Sequence, residues 1–168
     1  MKRTRMHLLA MPVVAIGLAL ALSAWPTQSS ALGVEGMGGK LGYSNPENLD
    51  GTAMMGLHAE LEQRGSRVHV LPNVMYWNVD RVRDVNPNVD AYYHFEREGK
   101  VTPYLGAGVG LNIVHNDRVD RTNTDMGMNV MGGVRFPGSA HHVFVEGRYT
   151  ASDVNQASIL TGVTFHSR

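Results

Sequence analysis

The chain contains no cysteine. No disulfide can staple it, so it must be held by a packed core or by the medium around it. Lysine is scarce: beyond residue 31 only Lys40 and Lys100 remain. A solvated exterior normally carries many charged side chains of this kind, so the shortage argues against a conventional water-facing surface. Long apolar runs are also missing. After residue 31 no stretch approaches the ~18 residues expected of a spanning helix. If that part lies in a membrane it must be a closed barrel, because only helices and closed barrels satisfy every backbone polar group in lipid. Surplus positive charge is absent too. Basic and acidic residues balance at 15 each over the whole chain, and three of the basic ones are Lys2, Arg3 and Arg5. The remainder is mildly acidic, which gives no electrostatic footprint for nucleic acid.

What is present begins with a basic start, Met1-Lys2-Arg3-Thr4-Arg5. An apolar stretch follows from Leu8 to Ala24, then a polar segment ending in Ser29-Ser30-Ala31. This is the layout of a secretory signal peptide, with cleavage expected after Ala31. A single membrane anchor is the competing reading, and its apolar run is slightly short. The expected organisation is a signal peptide over 1–31 and one domain over 32–168.

That domain alternates with period two. Leu105, Ala107, Val109, Leu111 and Ile113 share one face, while Tyr104, Gly106, Gly108, Gly110 and Asn112 share the other. Val85, Val89, Ala91, Tyr93 and Phe95 likewise oppose Asn86, Asn88, Asp90, Tyr92, His94 and Glu96. A slip of one residue would swap these faces, so the pattern fixes register. Eight such segments are predicted, near 34–43, 52–62, 67–78, 85–96, 100–114, 124–136, 142–151 and 156–166. Between them lie turn signals such as Gln63-Arg64-Gly65-Ser66, Arg97-Glu98-Gly99 and Pro137-Gly138-Ser139, and charged loops at Asp80–Asp84 and Asn116–Asn123. Pro72, Pro87 and Pro103 fall on the apolar face. Each removes a ladder donor and should sit at a rim, a bulge or a break in pairing.

Alternation alone does not say which face is wet. Glycines on the polar face (Gly38, Gly42, Gly56, Gly106, Gly108, Gly110, Gly127, Gly133 and Gly162) suit a cramped lumen better than a solvated surface. Aromatics on the apolar face (Tyr43, Tyr76, Tyr93, Phe95, Phe136, Tyr149 and Phe165) fall near segment ends, where interfacial girdles belong. The predicted fold is therefore all-β, an eight-stranded antiparallel up-and-down transmembrane β-barrel. A soluble lipocalin-like barrel is the alternative.

Four segments carry a resemblance. Thr102-Pro103-Tyr104-Leu105-Gly106-Ala107-Gly108-Val109-Gly110-Leu111 resembles the central strand of small OmpA-like outer-membrane β-barrel domains. Asp125 to Val134, Val143 to Tyr149 and Ile159 to Phe165 resemble the strands that follow it. The resemblance covers about 84–166. It implies an integral place in a bacterial outer membrane, contact with its lipid and lipopolysaccharide, and insertion by the barrel-assembly machinery. Such barrels usually end in an aromatic residue, whereas here His166-Ser167-Arg168 follow Phe165.

A barrel of eight strands is just wide enough for side chains to fill it, so inward charges must pair. Hairpin register predicts Glu62 opposite Arg67, Glu60 opposite His69 and Glu96 near Lys100. Glu146 and Arg148 share a face two residues apart. Lys40, Asp125 and Arg135 are further inward candidates. The expected result is an ionic plug. Inward His58, His69 and His94 raise the possibility of zinc or copper, but no ligand spacing recurs among the histidines, which also include His115, His141, His142 and His166. No metal and no cofactor are expected. No Ser–His–carboxylate set stands out, since His166 and Ser167 would point to opposite faces of a strand, and an enzyme is not expected. With both termini in the periplasm, the connections at 44–51, 79–84, 115–123 and 152–155 face outward and are expected to be the longer set. They carry Arg81, Arg83, Arg118 and Arg121, whose guanidinium forks match phosphate oxygens. The reading is a structural or surface-interaction barrel with a plugged lumen. A small-ligand carrier or narrow pore is the runner-up, and a lipid A-modifying enzyme at the rim is third. No protein partner is named by the sequence.

Overall fold

The computed structural model describes residues 33–62, 65–95 and 101–167. The expected signal peptide lies outside these residues, as do Glu96 and Lys100. Eight strands follow in order: β1 (Gly33–Pro46), β2 (Thr52–Glu62), β3 (Val68–Val79), β4 (Val82–His94), β5 (Thr102–Asn116), β6 (Arg121–Phe136), β7 (His141–Ala151) and β8 (Gln156–His166). Each pairs antiparallel with the next, and β1 pairs with β8 from Gly36↔His166 to Pro46↔Gln156, closing an up-and-down barrel. Closure leaves no unpaired edge.

The two faces are inverted relative to a soluble protein. Leu41, Leu57, Leu105, Met128, Val130, Val145 and Ile159 are exposed on the outside, Leu57 by 73%. Lys40, Glu60, Asp84, Asp90, Asn129, Glu146 and Arg148 are buried inside. The barrel is therefore of the transmembrane kind, with an apolar wall around a polar interior. Tyr93, Phe95, Phe136 and Phe165 are exposed near the end that carries the chain termini, and Tyr43 and Tyr149 near the other end. These are the two aromatic girdles.

The prolines sit where the ladder can spare a donor. The β2–β3 ladder is interrupted between His58↔Asn73 and Leu61↔Val70, at Pro72. The β4–β5 ladder is interrupted between Val85↔Ile113 and Asn88↔Gly110, at Pro87. Pro103 is the second residue of β5, at the rim.

The connections correct two expectations. The Asp80–Asp84 loop is a two-residue turn: Asp80 and Arg81 both take positive φ, 50° and 66°, and Val79 pairs with Val82. Positive φ at both central positions matches the strand twist and makes a tight type I′ hairpin. The second charged loop also contracts, because β5 runs to Asn116 and β6 starts at Arg121. The connections at the end away from the termini, 47–51, 80–81, 117–120 and 152–155, are consequently short, on a par with the described 137–140 connection at the terminal end.

Candidate functional site

The lumen is filled in three layers. In the middle layer, alternation turns Glu146 and Arg148 of β7 inward together. Arg148 meets Asp90 of β4 at 2.5 Å through Nη2, and its Nε donates to Glu146 Oε1 at 3.2 Å. Lys40 of β1 is held 3.7 Å from Glu146 Oε1 and 5.9 Å from the Phe144 ring centroid. The hydroxyls of Tyr92 and Tyr104 donate to Glu146 Oε2 at 2.7 and 3.1 Å. Asn73 and Asn129 donate to the two oxygens of Asp90. Two cations thus face two carboxylates, with neutral donors on their remaining lone pairs. On the carboxylate side that is what a buried ionic cluster needs if desolvation is not to dominate, whereas the buried Lys40 Nζ makes no hydrogen bond.

Room for these side chains comes from β5. Asn88, Asp90 and Tyr92 pair with Gly110, Gly108 and Gly106. A Cβ built on Gly108 would lie 2.0 Å from Asp90 Oδ1. The glycine stripe is therefore the space into which the large side chains of β4 lean.

The layer away from the termini is partly apolar. Met54, Met75, Trp77, Val82 and Leu160 form one cluster. Trp77 Nε1 donates to Gln156 Oε1 at 3.0 Å, and Gln156 Nε2 donates to Asp84 at 3.3 Å. Asn86 also donates to Asp84, and to Asn112.

The layer at the terminal mouth gathers histidines and acids. His69 Nδ1 lies 2.8 Å from Glu60 Oε1 and 3.0 Å from Glu35 Oε2. Arg135 bridges both carboxylates, at 3.0 Å to Glu35 Oε1 and 3.2 Å to Glu60 Oε1. His142 Nε2 is 3.3 Å from Glu60 Oε2, and its Nδ1 is 3.0 Å from His166 Nε2. The His94 ring packs edge-on against His69 at 4.3 Å between centroids. His58 Nε2 pairs with Thr164 Oγ1 at 2.8 Å. A cavity of about 10 Å³ lies beneath, lined by Glu60, His94, Tyr104, Arg135, His142 and Phe144 among others, about the space one water needs.

Of the predicted lumen residues, Glu146 and Arg148 meet in the middle layer, and Glu60 and His69 at the mouth. Register changes both predicted β2–β3 pairs: His69 stands opposite Glu62 rather than Glu60, and meets Glu60 only through their side chains. Glu62 pairs with His69, not Arg67, and Arg67 precedes β3 and donates to the Tyr93 hydroxyl at 3.5 Å. The Glu96–Lys100 pair lies outside the described residues. Sequence reasoning missed Glu35 entirely. By alternation it belongs on the outer face, but a bulge between Val34 and Gly36 turns it inward. Alternation puts Asp90, Tyr92 and Tyr104 on the inner face, but nothing in their spacing shows that they meet Glu146 and Arg148 of β7.

At the opposite rim the four predicted arginines lie on two adjacent connections. Arg81 is in the β3–β4 turn and Arg83 just after it, while Arg118 lies in the β5–β6 connection and Arg121 opens β6. The two connections are joined by Asp117 N donating to Arg81 O at 2.9 Å and by Arg83 Nη2 against Asp117 Oδ1 at 3.2 Å. One constellation there was not visible in sequence. His115 lies between Thr122 Oγ1 at 2.9 Å and Asp117 Oδ1 at 2.9 Å, because Thr122 faces His115 across the ladder.

Comparison with known proteins locates the fold and nothing finer. No protein-family model matches the chain, and no curated protein does. Among solved structures, Neisserial surface protein A is similar at a TM-score of 0.64 and 15% identity, over 79% of this chain and 95% of that one. The outer membrane enzyme PagL is similar at 0.51 and 14%, over 76% and 97%. A de novo designed transmembrane β-barrel is similar at 0.50 and 11%, over 80% and 98%. The chain therefore has the fold of small eight-stranded transmembrane barrels, shared by proteins of different roles.

Proposed function

We propose that this protein is an integral barrel of a bacterial outer membrane with a closed lumen, serving as a structural element or as a surface for contacts at its rim. The observation that carries this reading is the inverted side-chain distribution: an exposed belt of Leu, Val, Met and aromatic residues surrounds a lumen bridged by Lys40, Asp90, Glu146 and Arg148. An apolar exterior of that extent has no stable form in water, and a lumen crossed by ion pairs offers no open path. The proposed surroundings are outer-membrane lipid and lipopolysaccharide, reached after insertion by the barrel-assembly machinery. The test is fractionation of the exporting cell followed by gel electrophoresis with and without boiling. Recovery in the outer membrane with heat-modifiable mobility supports the reading, whereas a soluble periplasmic protein with unchanged mobility refutes it.

A second reading, an acyl hydrolase at the rim, is favoured by one observation, the Thr122–His115–Asp117 alignment. An imidazole between a hydroxyl and a carboxylate can act as a general base. Here the Arg83 guanidinium also draws on Asp117. Hydrolysis of an acyl ester in micelles, abolished by His115→Gln, would support this reading over a purely structural clasp.

A further inference from the structure

We infer that Glu35, Glu60 and His69, with His142 behind them, form a binding site for a zinc-class divalent cation at the terminal mouth of the barrel. Their donor atoms converge from β1, β2 and β3, and one atom each of Glu35, Glu60 and His69 lie within 4.8 Å of one another. His69 Nδ1 can hold only one proton, yet it faces two carboxylate oxygens at 2.8 and 3.0 Å. Glu35 Oε2 is buried and has no hydrogen-bond partner. The single proton of His69 Nδ1 goes to Glu60 Oε1, so Glu35 Oε2 is left without one, and a metal ion in place of that proton would engage all three ligand atoms. Bonds of ~2.0–2.2 Å from a tetrahedral ion put neighbouring ligand atoms about 3.3 Å apart, so only small side-chain shifts are required.

The surroundings fit a cation as well. The two carboxylates face the guanidinium of Arg135 and the imidazole of His69, and a metal ion would take the place of the His69 proton between them. Arg135 fixes Glu35 through Oε1, which leaves Oε2 directed at His69. This is the outer-shell support that metal-ligating carboxylates typically receive. A mixed imidazole–carboxylate set without thiolate suits zinc, cobalt, nickel or copper better than magnesium or calcium. Entry is from the mouth, where the Glu35 side chain keeps 21% exposure. The bulge at Glu35 thus has a consequence for binding: without it the chain would present two ligands instead of three.

The experiment uses untagged, refolded barrel in detergent micelles. Zn²⁺ is titrated calorimetrically in two buffers of different ionisation heat, and Co²⁺ is followed by its visible d–d absorption. One ion per barrel with proton release is expected, with Zn²⁺ displacing Co²⁺. Glu35→Gln and His69→Gln should each weaken binding by about tenfold or more, while His115→Gln, at the other rim, leaves it unchanged. In the unaltered protein, Zn²⁺ should shift the ring nitrogens of His69 in NMR spectra and not those of His115, a readout that holds even where a variant fails to fold. Absence of saturable binding, equal affinity in the Glu35 and His69 variants, or an unmoved His69 ring overturns the site.

Discussion

The Tyr92 hydroxyl donates to Glu146 Oε2 at 2.7 Å although β4 and β7 share no ladder. The bond crosses the lumen, and Tyr104, stacked on Tyr92 at 4.9 Å between centroids, adds a second donor to the same oxygen. The cluster is therefore a tie across the barrel as well as a set of ion pairs.

Removing its centre should be costly. Glu146→Ala leaves Lys40 and Arg148 buried with one carboxylate between them, and about 3–5 kcal/mol of stability should be lost. Lys40→Met combined with Glu146→Gln should lose less, because charge is removed from both sides. Urea unfolding in micelles measures both. A loss below about 1 kcal/mol in Glu146→Ala would show that the tie contributes little.

Val109 is 44% exposed on the outer face of β5, opposite Val89. Val109→Arg should cost about 2–4 kcal/mol or block insertion, as expected for arginine near the bilayer midplane. Normal folding into bilayers with a water-accessible label at this position would contradict the membrane-facing assignment.

Gly108→Val should destabilise the barrel by about 1–3 kcal/mol through overpacking, since its Cβ would meet Asp90 Oδ1 and the Val89 carbonyl. Ala107→Val, one residue away and outward-facing, should be tolerated. Equal stability of the two variants in the same titration would remove the spatial role assigned to the glycine stripe.

In planar bilayers the purified protein should show no steady conductance. A reproducible open state on the nanosiemens scale would favour the pore reading, because a lumen filled at three levels has no room for such a current.

Replacing Arg81, Arg83, Arg118 and Arg121 with glutamine should leave folding intact and weaken lipopolysaccharide binding, because guanidinium forks match phosphate oxygens. Arg83 already engages Asp117, so the largest single effects are expected at the other three. Unchanged binding in the fourfold variant returns this rim to ordinary solvated surface.

Strand number, strand order and the inverted faces could be read from residues alone. Alternation is a local property: Leu105, Val109 and Leu111 must point away from Tyr104, Gly108 and Asn112 whatever the rest of the chain does. The interruptions at Pro72 and Pro87 follow equally locally, from a missing N–H. Turn lengths were less legible. Asp80-Arg81-Val82-Arg83-Asp84 reads as a polar loop, but pairing of Val79 with Val82 confines the turn to two residues.

Which inward residues meet was decided only by closure. Glu146 finds Lys40, Tyr92 and Tyr104, and Asp90 finds Arg148, because a closed barrel of eight strands brings opposite walls within side-chain reach. No periodicity along one strand encodes a contact across a lumen. The same holds at the mouth. Glu35, Glu60 and His69 have no ligand spacing in sequence, and one of them stands on the wrong parity until the bulge at Val34/Gly36 turns it inward. Period-two patterning determined what faces lipid and what faces the lumen, while closure, register and a single bulge determined the chemistry there.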